Sequence, residues 1–231
     1  MKIDLHIHTN HGSGCAYMEP GELVERAKAV GLDGVCITEH NRIWDQKAIE
    51  QLKSRHDFLV IGGVEVSTDC GEILVFGLNE PVLNVYRAHE LKRMVDEVGG
   101  VMILAHPFRF EPETVAACSL ASSANNPGLS REMEAILQRP VFRLVDAVEV
   151  YNGRSGLKER DLAAMVAEQL SLKSTGGSDA HASLAVGACY TLFEEEVRDE
   201  QDLIAQIKNG RIYGVDRRWE ISWSNEVKEA R

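Results

Sequence analysis

Short apolar runs alternate with longer stretches in which apolar residues recur every three or four positions. The two spacings predict strands followed by helices. Residues 2–7 (KIDLHI) read as a first strand. Leu23, Val24, Ala27 and Val30 then share one helical face after Pro20, Gly31 ends that helix, and residues 34–38 form a second strand. A helix over 44–54 leads to a third strand over 58–64, and the run 72–77 is expected to pair beside it. The pattern continues with a helix over 85–98, strands over 101–105 and 147–151, a helix over 157–169 and a strand over 172–176. A strand over 188–193, a helix over 200–209 and a short terminal segment complete it. Residues 119–130 (SLASSANNPGLS) are the most loop-like stretch and read as a surface loop rather than a lid. Alternating units of this kind predict an α/β fold with a mainly parallel sheet.

At 231 residues the chain accommodates one barrel or one large α/β domain, so a single domain over 1–231 is expected. Its 44% hydrophobic and 26% charged residues are ordinary for a soluble globular protein. The net charge of −11 argues against a broad basic surface for duplex nucleic acid, but not against a nucleotide or short oligonucleotide whose phosphates are held by metals. The five cysteines (Cys15, Cys36, Cys70, Cys118, Cys189) are scattered and form no CxxC pair, so neither a zinc ribbon nor a disulfide framework is indicated. No basic segment precedes an apolar one at the N-terminus, and no apolar run approaches membrane-spanning length. A cytoplasmic protein without membrane contact is expected.

Chemistry concentrates where the predicted strands end. His6 and His8 are two apart on the first strand and can face one side together. Glu39 and His40 follow the second, Glu65 the third, His106 the strand over 101–105, and Asp179 and His181 the strand over 172–176. A lone His-x-His is weak evidence, because a strand histidine can be a hydrogen-bonded core residue. Histidines and carboxylates at five strand ends together point to a centre for several metal ions, and such a centre with open positions points to hydrolysis.

The ordered motifs are Asp4-Leu5-His6-x-His8-Thr9, Gly31-Leu32-Asp33-Gly34 with Thr38-Glu39-His40-Asn41, Gly63-x-Glu65-Val66-Ser67, Ala105-His106-Pro107 and Gly177-Ser178-Asp179-Ala180-His181. This series resembles the polymerase and histidinol phosphatase (PHP) family from residue 4 to about residue 181. The resemblance implies a distorted, TIM-barrel-like (β/α)7 fold whose metal centre lies at the C-terminal rim of the strands. It implies hydrolysis of a phosphomonoester or phosphodiester by metal-activated hydroxide, with two or three divalent ions (Mn, Zn, Fe or Mg). His6, His8, Glu65 and Asp179 resemble the ligands of a first metal; Glu65 would bridge to a second, shared by His106, and His40 and His181 would face a third. Asp4 is the expected acid orienting the His6 ring.

Two positions depart from the family pattern. Where relatives complete the third site shortly after His-x-His, this chain has His11-Gly12-Ser13-Gly14-Cys15, so either His11 or Cys15 could serve. Where relatives often have a histidine before Ile-Leu, this chain has Glu72, either a replacement ligand or a solvated strand-edge acid. Arg109, three residues after His106, either pairs with a phosphate or salt-bridges an acidic neighbour. Arg154 has a similar claim on phosphate. Glu149 either lines the barrel near the metals or packs with a paired cation. Glu65, Asp179, His106 and Arg109 are the expected catalytic set, acting on a small phosphorylated substrate such as a nucleotide or short oligonucleotide. The competing reading is a metal-binding structural or regulatory module with little turnover. Amide hydrolysis on a metallo-barrel is disfavoured, because no lysine sits at a comparable strand end.

Overall fold

The computed structural model describes residues 1–82, 85–121 and 127–218. Among the described residues, nine strands form one mixed sheet in the order β7-β6-β5-β4-β3-β2-β1-β8-β9. Two β/α units and a third strand build its first half: β1 (Lys2–Ile7), α1 (Pro20–Ala29), β2 (Gly34–His40), α2 (Gln46–His56) and β3 (Leu59–Thr68), all three strands parallel. Local chemistry sets the helix ends. Pro20 opens α1 and Gly31, at φ +77°, follows it, while the Asp45 carboxylate accepts the Lys47 N–H at 3.1 Å to cap α2.

β4 (Gly71–Phe76) returns from β3 as an antiparallel hairpin and pairs with β5 (Val101–Leu104) antiparallel, across α3 (Ala88–Glu97). The chain continues through α4 (Pro112–Ala121), α5 (Pro127–Leu137), β6 (Ala147–Asn152), α6 (Leu157–Gln169) and β7 (Lys173–Gly177), with β5, β6 and β7 parallel. β8 (Cys189–Phe193) pairs antiparallel with β1 and with β9 (Ile212–Asp216), and α7 (Glu200–Asn209) connects them. The α/β, barrel-like arrangement agrees with expectation, but the sheet is mixed where a mainly parallel one was expected: the pairings of β3 with β4, β4 with β5, β1 with β8 and β8 with β9 are antiparallel. The repeat is less regular than a plain (β/α)7 ring, because the short turn after β3 leaves no room for a crossover helix and forces β4 to run backwards.

Two predicted features change. Much of the stretch expected as loop belongs to α4 and α5, and residues 122–126 lie outside the described part, as does the terminal segment 219–231. The strand β9 was not foreseen.

The sheet curls until β7 approaches β1. At the rim, His8 N–H donates to Ala180 O at 2.9 Å and Asp179 N–H to His6 O at 2.7 Å. Below, the Thr191 hydroxyl of β8 bonds both Gly176 N and Gly176 O, at 2.9 and 3.0 Å. Inside, Ile3, Leu5, Ile61, Leu74, Phe76 and Ile103 pack with Leu203 and Ile207 of α7. Strand alternation puts Glu65 on the face of Ile61 and Glu72 on the face of Leu74 and Phe76, so this apolar plug is the floor beneath the polar rim. Among the described residues, no helix is long and apolar enough to cross a membrane.

Candidate metal centre

A register slip delivers the first two candidate ligands. Between Asp4 and Ile7, three residue steps of β1 oppose two of β2 (Val35 to Ile37). The extra residue lets Leu5 join the apolar floor while His6 and His8 stand above it, a re-aiming for which bulges beside functional sites are suited. His6 Nε2 lies 3.2 Å from Glu65 Oε1, 3.1 Å from His8 Nε2 and 3.8 Å from Asp179 Oδ1. His8 Nε2 lies 3.4 Å from both Glu65 Oε2 and Asp179 Oδ1. His106 Nε2 approaches Glu65 Oε1 at 3.1 Å and Glu72 Oε2 at 3.5 Å, and His40 Nδ1 sits 2.8 Å from Glu65 Oε2. The reversed direction of β4 explains Glu72: near the start of an antiparallel strand, it falls on the rim where the parallel strands end. His106 (φ +26°) and Asp179 (φ +52°) both hold left-handed backbone, a cost of order 1–3 kcal/mol each that tends to collect at functional sites.

Behind the ligands sits Glu149, which the sequence left open. One carboxylate oxygen faces His6 Nδ1 at 3.0 Å; the other accepts the His106 backbone N–H at 3.1 Å and the Asn152 amide at 2.9 Å. Glu149 therefore presents the Nε2 edge of His6 to the pocket, the place expected for Asp4. Asp4 instead accepts N–H bonds from Ser178 (2.8 Å), Gly187 (3.0 Å) and His6 (3.3 Å). The slip in β1 breaks the simple alternation that would have set Asp4 beside the His6 ring. Gly177 is required here: a Cβ would sit 2.4 Å from His6 Cβ and 2.7 Å from Glu149 Oε1.

Glu39 is not brought into the cluster. Its buried carboxylate accepts Thr9 N–H, the Thr9 and Ser13 hydroxyls, and the Trp44 indole N–H at 3.1 Å, tying the loop after β1 to β2. Ser13, unremarked in the sequence, also meets His8 Nδ1 at 3.2 Å. His11 is exposed and packs on Trp44, with ring centroids 4.7 Å apart, and Cys15 is an exposed free thiol. Among the described residues, neither joins a group able to hold an ion. The groups that do are His6/His8/Asp179, His8/His40/His181, His40/Glu65/Glu72 and His6/His106/Glu149, the donor atoms of each lying within 4.8 Å of one another.

Comparison with known proteins fits this arrangement. A family model described as PHP-associated matches residues 158–212. An uncharacterized protein of Methanocaldococcus jannaschii is 33% identical over 117 residues, 47% of this chain and 68% of that protein. Among solved structures, a two-domain protein from Bacteroides vulgatus, described as containing a predicted PHP-like metal-dependent phosphoesterase, is similar with a TM-score of 0.65 at 18% identity, over 94% of this chain and 64% of that one. PsfC from Pseudomonas syringae is similar with a TM-score of 0.62 at 20% identity, over 99% and 98% of the two chains. The chain belongs to the PHP family.

In this PHP chain the candidate ligands divide by charge: the carboxylates are held ionised, while the imidazoles are pushed in opposite directions. Burial alone would raise Glu65, but the His6, His106 and His40 rings hold it well below the usual carboxylate range. Burial is likewise outweighed at Asp179 by His6, His8 and Arg109, which keep it ionised. Burial opposes the His6 charge, yet Glu149, Glu65 and Asp179 raise that imidazole well above its ordinary value. Burial pushes His8 down to about 4, and also lowers His181. The contact with Glu65 raises His40. Clustered carboxylates thus require positive charge at the point where the Nε2 atoms converge. Glu65 Oε2, buried, receives no well-aligned hydrogen bond despite the nearby His40 ring. An all-nitrogen-and-oxygen donor set with an under-satisfied carboxylate oxygen fits divalent cations of the Mn, Zn or Fe kind.

Two arginines complete the rim. Arg109 Nη1 pairs with Asp179 Oδ2 at 2.7 Å and its other terminal nitrogen bonds Asn152 Oδ1. Arg154 is more than half exposed and reaches His181 at 3.3 Å and Asp179 Oδ1 at 3.9 Å. Both line a 210 Å³ pocket with His40, Glu65, His106 and His181.

Proposed function

We propose that this chain, acting as one domain, hydrolyses phosphoesters with two or three divalent cations at the rim. The observation that carries the reading is the convergence of His6, His8, Glu65, His106 and Asp179 on one buried point beneath a pocket bearing two guanidinium groups. The activity attributed to the Bacteroides neighbour points the same way.

His6, His8 and Asp179 would hold one ion, His106 and Glu72 another, and His40 and His181 a third, with both oxygens of Glu65 available between them. Cations so held would supply Lewis acidity toward phosphoryl oxygens and would make water more acidic. The chain's own groups do the rest. Glu149 fixes the face that His6 presents, and Arg109, through Asp179 and Asn152, fixes the carboxylate. Arg154, the freer guanidinium, would draw in and orient the phosphate, while Arg109 neutralises charge that develops on it. No serine or cysteine nucleophile is needed. Small phosphorylated compounds are the expected substrates, with nucleotides and short oligonucleotides among them.

The test is turnover of p-nitrophenyl phosphate and its bis-ester by protein purified with Mn²⁺ or Zn²⁺, against an Asp179→Ala control. Metal-dependent hydrolysis lost in the variant is expected, and the favoured ester separates mono- from diesterase. Full metal content with no turnover across a broad phosphoester panel would sink the proposal in favour of a structural or regulatory metal module.

A further inference from the structure

Beside the 210 Å³ metal pocket lies a larger cavity of about 500 Å³, within the roughly 300–1,000 Å³ of small-molecule sites. The two share Glu72, His106 and Phe110, so they communicate across the rim. Phe110 is 79% exposed and stands edge-on to the His106 ring, with centroids 6.3 Å apart. So large an exposed aromatic at the junction of two cavities is placed to touch a ligand lying in both. The back wall is apolar, formed by Leu104, Ala105, Val141 and Phe142. The tip of the β3–β4 hairpin, with Thr68 and Cys70, forms the front.

Charge distinguishes the two spaces. The metal pocket sets two guanidinium groups, Arg109 and Arg154, beside its carboxylates Glu65, Glu72 and Asp179. The larger cavity has Asp69 and Glu111, with the shared Glu72 at its rim, against one guanidinium, Arg139. Arg139 is already committed, binding both oxygens of Glu111 at 2.7 Å and lying over the Phe108 ring at 5.7 Å. The Thr68 hydroxyl is committed as well, donating to Gly71 O at 2.7 Å. Beyond the rim shared with the metal pocket, no cationic side chain in this cavity is left to neutralise an anion, and its walls favour apolar surface.

We propose that this cavity is the leaving-group subsite, taking an apolar alcohol moiety that is uncharged or cationic and rejecting one that carries a second phosphate or a carboxylate. The proposal rests on the phosphoesterase reading and narrows its substrate class. Phosphate would sit on the arginine side of Phe110 and the alcohol on the Leu104 and Phe142 side.

The Mn²⁺-loaded chain is titrated with 2-naphthylmethylphosphonate and with methylphosphonate. The naphthyl compound should bind at least about tenfold more tightly, an increment in keeping with burying one aromatic group. Cys70→Trp, which fills the cavity from its exposed hairpin, should remove that advantage and leave methylphosphonate unchanged. A carboxylate added to the naphthalene should cost about tenfold, and Cys70→Arg should recover it. Equal affinities of the two phosphonates in the wild-type chain, or undiminished naphthyl selectivity in Cys70→Trp, would overturn the subsite. Hydrolysis of 2-naphthyl phosphate is followed in the same preparations. Retained naphthyl selectivity without turnover refutes the phosphoesterase reading alone, and turnover with equal phosphonate affinities refutes the subsite alone.

Discussion

The candidate ligands divide into an inner and an outer group. His6, His8, Glu65, His106 and Asp179 are at most 5% exposed, and each meets at least two other donors of the cluster. His40, Glu72 and His181 are partly exposed, with side-chain exposures of 35%, 26% and 16%, and border the open pocket. The inner group stands on the apolar floor and is braced from behind by Glu149 and Asn152. The outer group faces the water through which substrate arrives. The contrast teaches where geometry is built in and where it is left to adapt: the barrel dictates the inner positions, whereas an ion at the outer position would exchange more readily.

Four predictions try that contrast, and an outer substitution as damaging as an inner one would break it. Asp179→Ala should abolish turnover, a loss of at least about a thousandfold, with metal content falling alongside it by elemental analysis. Glu149→Gln should lower metal affinity by about 10–100-fold, because a neutral amide replaces the carboxylate whose charge orients the His6 ring and raises its basicity; excess Mn²⁺ should recover much of the rate. His181→Ala should empty the outer position alone, reducing bound metal by one ion per chain and kcat by about tenfold, with inner ions kept through mild chelation. Arg154→Ala should raise KM by about three- to tenfold with kcat nearly kept, as a steady-state assay can show. If Arg154→Ala lowered kcat most, the division of labour between the two arginines would have to be reversed.

The inner group was legible because its signals are short-range. Two histidines at i and i+2, or an acid one residue past a strand, state their direction through strand alternation alone. Glu149 was harder to read: its contact with His6 spans 143 positions, and an acid inside a strand gives no sign of its partner. Asp4 misled for the opposite reason, since closeness in sequence suggested a contact with the His6 ring, whereas the slip in β1 leaves Asp4 only the backbone N–H of that residue. Glu39 looked like a ligand next to His40, but alternation turns it to the other face, where Thr9, Ser13 and Trp44 claim it. The helices α4 and α5 escaped because Thr114-Val115-Ala116-Ala117-Cys118 has no apolar stripe and Pro127-Gly128 reads as a turn. The reversed β4, by contrast, was anticipated as a run pairing beside β3, and its direction is what makes Glu72 a rim residue.

The joint between β1 and β7 carries one further consequence. At the rim, these two strands meet through the backbone of ligand residues, His8 N to Ala180 O and Asp179 N to His6 O. A cation shared by His6, His8 and Asp179 would therefore act as a clasp across a seam where the barrel wall changes from continuous pairing to edge-to-edge contact. Stripping the metal should let the amides of His8 and Asp179 exchange with deuterium well before those of β2 and β3, so that the ring begins to breathe at the rim.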